Sequence, residues 1–164
     1  NDVGAARVEL TALDKGGNSA TASATVNVAG IVPKPVIGAS AGAVTLGYGP
    51  QEVTLSASDG AGSRAPLFTW SPAAGLSTAS GPVTTFTPTA AGTFAFTAQA
   101  GNENGCYGAA TVTVPVIDAR CGDGKVLVCE KTGSTKNPAT QLCIAPNAVA
   151  AHLRKGDTLG ACGN

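Results

Sequence analysis

One segment of this chain of 164 residues occurs twice, and the repeat limits what the chain can fold into. Residues 93–114, TFAFTAQAGNENGCYGAATVTV, and residues 7–28, RVELTALDKGGNSATASATVNV, align without a gap at an offset of 86. Seven of 22 aligned positions are identical, among them Thr11/Thr97, Asn18/Asn104 and Val26/Val112. In both copies apolar and polar residues alternate on either side of an Asn/Gly stretch. Such period-2 alternation predicts a β-hairpin with one buried face. At this offset Phe94, Phe96 and Ala98 lie over Val8, Leu10 and Ala12, and Ala110, Val112 and Val114 over Ala24, Val26 and Val28. A repeat of domain length predicts tandem β-domains. Everything ahead of the last hairpin is missing from the first copy. The expectation is a piece of something longer, or a chain completed by something else.

Composition supports an all-β reading. Aromatics are 4% of the chain, Met is absent, and 22 Gly and 10 Pro punctuate Thr- and Val-rich runs. Short β-branched strands between Gly/Pro turns argue for a sandwich. Ten basic and ten acidic residues cancel, and no basic run exists, which argues against a nucleic-acid partner. No stretch approaches the roughly 18 apolar residues of a membrane span. No signal peptide is visible, and a start at Asn1-Asp2 suggests processing or truncation. Four of the five cysteines lie between Cys121 and Cys162, a clustering that reads as disulfides in an oxidising, extracellular setting.

Three segments follow. Residues 1–30 carry the orphan hairpin, turning at Gly16-Gly17-Asn18. A lone two-stranded hairpin is marginal in water, so something must cover its apolar face. Val8, Leu10, Val26 and Val28 are the candidate self-association face. Residues 31–36, IVPKPV, read as a stiff Pro-containing joint. Residues 31–117 are expected to form one complete sandwich, with strands at 36–39, 43–47, 52–58, 67–71, 83–88, 92–100 and 109–116. Trp70, the single Trp, is assigned to its core, on the same face as Phe68. Residues 118–164 are more charged and Cys-rich, with short paired strands at 125–129 and 141–144. A helix is expected over 146–154, with Pro146 at its start, Val149, His152 and Leu153 on one face and Gly156 as its cap.

The segment FTWSPAAGLSTASGPVTTFTPTAAGTFAFTAQAGNENGCYGAATVTV resembles the PKD-like, immunoglobulin-like repeats of bacterial surface proteins. The W-S-P after the central strand, the F-x-P-T-x-A-G-T-F-x-F entry and the N-G-C turn carry the likeness. The acidic W-D-F-G-D-G signature of those repeats is replaced by Trp70-Ser71-Pro72-Ala73-Ala74-Gly75, so no calcium or carbohydrate habit transfers. Residues 121–162 resemble a small Cys-rich module found at the C-terminal end of secreted and surface proteins of Bacteroidota. In those proteins it often precedes a type IX secretion sorting domain. This copy has Glu130 and Lys155 where that module often has His, and Ala145 where Ser would cap the helix. The fold implied is all-β: an Ig-like (PKD-like) sandwich, preceded by the last hairpin of a similar repeat and followed by a disulfide-stapled hairpin with a short helix.

Four clustered cysteines allow three pairings. The pairing expected is Cys129–Cys143 across the hairpin and Cys121–Cys162 closing the module. The first would close a loop of about 15 residues, contributing about 3 kcal/mol. A zinc finger is disfavoured, since no Cys-x-x-Cys occurs. Cys106 is left unpaired, with buried and free as its default. His152 is read as structural, because His152 with Asp157 alone makes a poor metal site. No metal and no cofactor are expected. The loop carboxylates Asp14, Asp59 and Glu103 are read as solvated charges, and Asp157-Thr158-Leu159 as an exposed turn matching a three-residue O-glycosylation pattern. No nucleophile, base and orienter share a recognisable context, so no enzyme is expected.

The leading functional expectation is a non-catalytic extracellular structural or adhesive surface protein built from tandem Ig-like domains. A filament subunit joined by strand complementation through the N-terminal hairpin is the second expectation. An accessory binding module of a larger secreted hydrolase is the third. Expected partners are other copies of the chain or upstream repeats, with surface glycan or cell-envelope components as further candidates, and no nucleic acid.

Overall fold

The computed structural model describes residues 4–28, 30–63, 66–103 and 105–163. Asn104 of the expected turn and the side chain of Val28 lie outside the described residues. The N-terminal hairpin pairs β1 (Gly4–Leu13) with β2 (Ser19–Val28) as a two-stranded sheet. The sandwich follows. Its strands are β3 (Pro35–Ala39), β4 (Val44–Leu46), β5 (Val53–Asp59), β6 (Leu67–Ser71), β7 (Val83–Phe86), β8 (Gly92–Gly101) and β9 (Tyr107–Asp118). They form two sheets, β3-β5-β7 and β4-β9-β8-β6. The chain changes sheets between β3 and β4, and β4 runs parallel to β9. This is an Ig-like arrangement of two sheets over one core.

Alternation places the core. On β5, Val53, Leu55 and Ala57 point inward; on β6, Phe68 and Trp70 do. Phe86 of β7 packs against Phe94 and Phe96 of β8 at ring separations of 5.0 and 4.7 Å. Trp70 is buried, and its indole N–H donates to the Gly81 carbonyl, which satisfies its polar end.

The two hairpins correspond at an offset of 88, not 86. Gly4 pairs with Val28 and Gly92 with Val116, and both glycines sit at positive φ. The loops agree in detail. Asp14 N–H donates to the Asn18 carbonyl, and Asn102 N–H to the Cys106 carbonyl. Gly17 and Gly105 donate back to Asp14 and Asn102, each from a left-handed conformation that glycine adopts without steric cost. A side-chain oxygen, Asp14 Oδ1 or Asn102 Oδ1, takes the N–H four residues on, at 2.9 and 3.1 Å. The expected turn at 16–18 is therefore the second half of a loop that begins at Asp14. A slip of two residues leaves every side chain on its original face, because the pleat repeats every two. The alternation could not register the copies; the Asx-anchored loops do. In the corrected frame Val8 corresponds to Phe96, Leu10 to Ala98, Ala24 to Val112 and Val26 to Val114.

The joint between hairpin and sandwich is tied at several points. Lys34 N–H donates to the Asp59 carboxylate, Gly60 N–H to the Lys34 carbonyl, and the Asn102 amide to the Ile31 carbonyl at 2.8 Å. Pro33 and Pro35 are buried. A Cβ on Gly108 would fall on the Pro33 carbonyl. Gly108→Ala is expected to lower sandwich stability by about 1–3 kcal/mol through this forced overpacking. A denaturation midpoint unchanged from wild type would show that the joint does not pack on β9.

Beyond β9 the chain passes into the Cys-rich region without a spacer. β10 (Arg120–Cys121), β11 (Lys125–Lys131) and β12 (Ala139–Ile144) form a sheet. α1 (Pro146–Arg154) packs on β11, and β13 (Thr158–Leu159) pairs with it. Ala119 N–H donates to the Leu46 carbonyl of β4, and Tyr48 packs on a small core of Ala119, Val126, Val128 and Val149. The Arg120 guanidinium forks onto Asp118, holding that carboxyl near 2. β10 and β13 were not anticipated, since two residues carry no periodicity.

The expected disulfide pairing is not the one formed. Cys121 bonds Cys143, and Cys129 bonds Cys162. Register explains it. β11 sets Leu127 opposite Cys143 and Cys129 opposite Gln141, so Cys129 and Cys143 are diagonal neighbours. Such Cα atoms lie about 7–8 Å apart, past the roughly 7 Å reach of a bridge. The bonded pairs have Cα–Cα separations of 5.9 and 5.0 Å.

Candidate functional site

Two features stand out: the open hairpin face and a carboxylate–imidazole cluster in the C-terminal region. The hairpin has one polar face and one apolar face. On the polar face Arg7 donates to Ser23 and Thr11 meets Thr21. On the other face Val8 is 58%, Leu10 70% and Val26 49% exposed. Their equivalents Phe96, Ala98 and Val114 are 1% exposed or less, covered by the opposite sheet. The structure thus brings Val8, Leu10 and Val26 to one surface, with Val28 next along β2 but its side chain outside the described residues. No segment of the described chain covers that surface. Leu13, at the end of β1, is 72% exposed.

The Asx geometry gives the loop carboxylates structural work. Asp14 accepts from Asn18 and Gly16, and the Asn18 side-chain amide is the main cause of its lowered pKa. Asp59 accepts from the Ser63 hydroxyl and from the N–H groups of Lys34, Ala61 and Ser63, which hold it well below the ordinary carboxylate range. Cys106 is half-buried and forms no disulfide; its N–H closes the Asn102 loop.

The cluster is assembled by the end of α1. Gly156, at φ +90°, follows the helix and lets the chain reverse, as glycine does at this position. Asp157 then folds back beneath His152. Its Oδ1 accepts the Lys131 N–H at 2.9 Å and its Oδ2 lies 2.8 Å from His152 Nδ1. Asp157 is 5% exposed. The Lys131 N–H lowers its pKa against the opposing effect of burial, and His152 adds to the lowering. The expected exposed turn at 157–159 is instead a buried carboxylate leading into β13.

Glu130 of β11 joins this pair. One donor atom from each of Glu130, His152 and Asp157 lies within 4.8 Å of the other two. The sequence reading set Glu130 aside as a lost histidine. No sequence signal marked it, because Glu130 meets Asp157 only through the pairing of β11 with β13. Among the described residues these three bring metal-ligating atoms close enough to face a common point.

No family model matches the chain. No curated protein matches it. Among solved structures, the chain aligns with protocadherin gamma B2 extracellular cadherin domains 3–6 at 13% identity and a TM-score of 0.41. The alignment covers 85% of this chain and 39% of that one.

Proposed function

We propose that this chain is a non-catalytic, extracellular structural or adhesive segment of a tandem Ig-like array. Residues 1–30 would be the closing hairpin of one repeat, 31–117 a complete repeat and 118–164 a disulfide-stapled end module. One observation carries the reading: the same hairpin, with the same Asx-anchored loop, occurs 88 residues apart, once closed into a core and once open. Two disulfides favour an oxidising compartment. The partner that fits the open face is the remainder of an Ig-like sandwich, supplied by preceding repeats.

Hydrogen exchange tests this. In the 164-residue chain, β8–β9 amides are expected to exchange at least about 100-fold more slowly than β1–β2 amides. In a longer protein carrying the preceding repeat, β1–β2 should reach the protection of β8–β9; continued fast exchange there would sink the reading. The open face also favours a second reading, a filament subunit joined through the hairpin. That reading requires the 164-residue chain to assemble as its concentration rises, with β1–β2 protected in the assembly.

A further inference from the structure

We propose that Glu130, His152 and Asp157 form a binding site for a divalent transition ion of the zinc class. The inference is independent of the hairpin and its partner. The donor set is one imidazole nitrogen and two carboxylates, which suits Zn²⁺ and related ions; a nitrogen ligand disfavours Ca²⁺ and Mg²⁺, which take oxygen. Thiolates do not compete, because the four cysteines of this region are bridged.

The site is built rather than incidental. Its three side chains come from β11, α1 and the loop after α1. Glu130 follows Cys129, whose bridge to Cys162 ties β11 to the C-terminal end. Asp157 is buried and aimed by the Lys131 N–H and by His152. Glu130 and His152 are half-buried. Two carboxylates this close, one of them buried, repel each other, and a divalent cation between them removes that repulsion. Around an ion with bonds near 2.0–2.1 Å, donor atoms sit about 3.3 Å apart. The His152–Asp157 pair, hydrogen-bonded at 2.8 Å, gives up its shared proton and opens slightly, and Glu130 closes from within 4.8 Å. Three protein ligands leave one position of a tetrahedron for water.

The test uses the 164-residue chain with both disulfides intact. Zn²⁺ is titrated by calorimetry in a non-chelating buffer, and the ring resonances of His152 are followed by NMR. His152 is the only histidine, so its signals are unambiguous. The expected result is one Zn²⁺ per chain at about 10 μM Kd or tighter, with the His152 ring shifted. Mg²⁺ at the same concentration should leave the ring unshifted. Glu130→Gln, a near-isosteric change at a half-buried position, is expected to fold and to weaken binding at least about tenfold. The proposal is overturned by no binding up to millimolar Zn²⁺, by binding that leaves the His152 ring unmoved, or by wild-type affinity in Glu130→Gln.

Discussion

Replacing Cys129 and Cys162 with alanine is expected to unfold residues 118–163 and leave the sandwich folded. The region's core consists of only Ala119, Val126, Val128 and Val149, with Tyr48, Ile144 and Leu159 packed around it. A core this small rarely holds a fold without staples. The Cys129–Cys162 bridge spans 33 residues and Cys121–Cys143 spans 22. Closing loops of these lengths in the unfolded chain contributes roughly 3–4 kcal/mol each. Losing the longer one removes most of the margin of a unit this size. The two regions can be read separately. Trp70, the only tryptophan, reports on the sandwich, and β11–β12 amide exchange reports on the C-terminal region. The variant should show free exchange in β11–β12 with Trp70 fluorescence still native at 25 °C. Retained protection of β11 would show that packing alone suffices.

The second large effect is a contrast between equivalent positions. Phe96→Ala is expected to cost about 3–5 kcal/mol, the range for emptying a buried aromatic site. Phe96 is 1% exposed and sits against Phe86. Val8→Ala, at the corresponding place in the first hairpin, is expected to cost under about 0.5 kcal/mol in the isolated chain, as for surface substitutions. Denaturant midpoints followed through Trp70 measure both. If Val8→Ala shifted the midpoint by an amount like a core substitution, the first hairpin would be packed on something within or between chains. In an assembly that covers the face, burying residues such as Val8 and Leu10 would contribute on the order of 1–3 kcal/mol each.

Strand positions and inward faces were legible wherever alternation was long. β5, β6, β8 and β9 follow the pattern of Val53, Leu55, Phe68, Trp70, Phe96 and Val114. Trp70 sits in the core as expected, but its strand is not central: β6 lies at the edge of the four-stranded sheet and turns that face inward. Three things were not legible, for one shared reason. The offset between hairpins, the disulfide partners and the Glu130–His152–Asp157 cluster each depend on register between strands distant in sequence. A period of two is blind to a slip of two. Diagonal and directly opposed cysteines look alike until the ladder is known, as Leu127 opposite Cys143 shows. Glu130 and Asp157 meet only because β13 pairs with β11 and α1 packs over that strand.

The parallel pairing of β4 with β9 has a mechanical consequence. The chain enters the sandwich through β3, crosses into β4 in the second sheet and leaves through β9, which continues directly into β10. Tension applied through the two ends pulls these strands in opposite directions along their length. Their hydrogen bonds, from Val44–Val116 to Leu46–Asp118, are then loaded together in shear rather than opened one at a time. The bridged C-terminal region continues that line of force with β11 tied by Cys129–Cys162, so a pull on its end reaches β9 through a covalent shortcut instead of unravelling the small sheet.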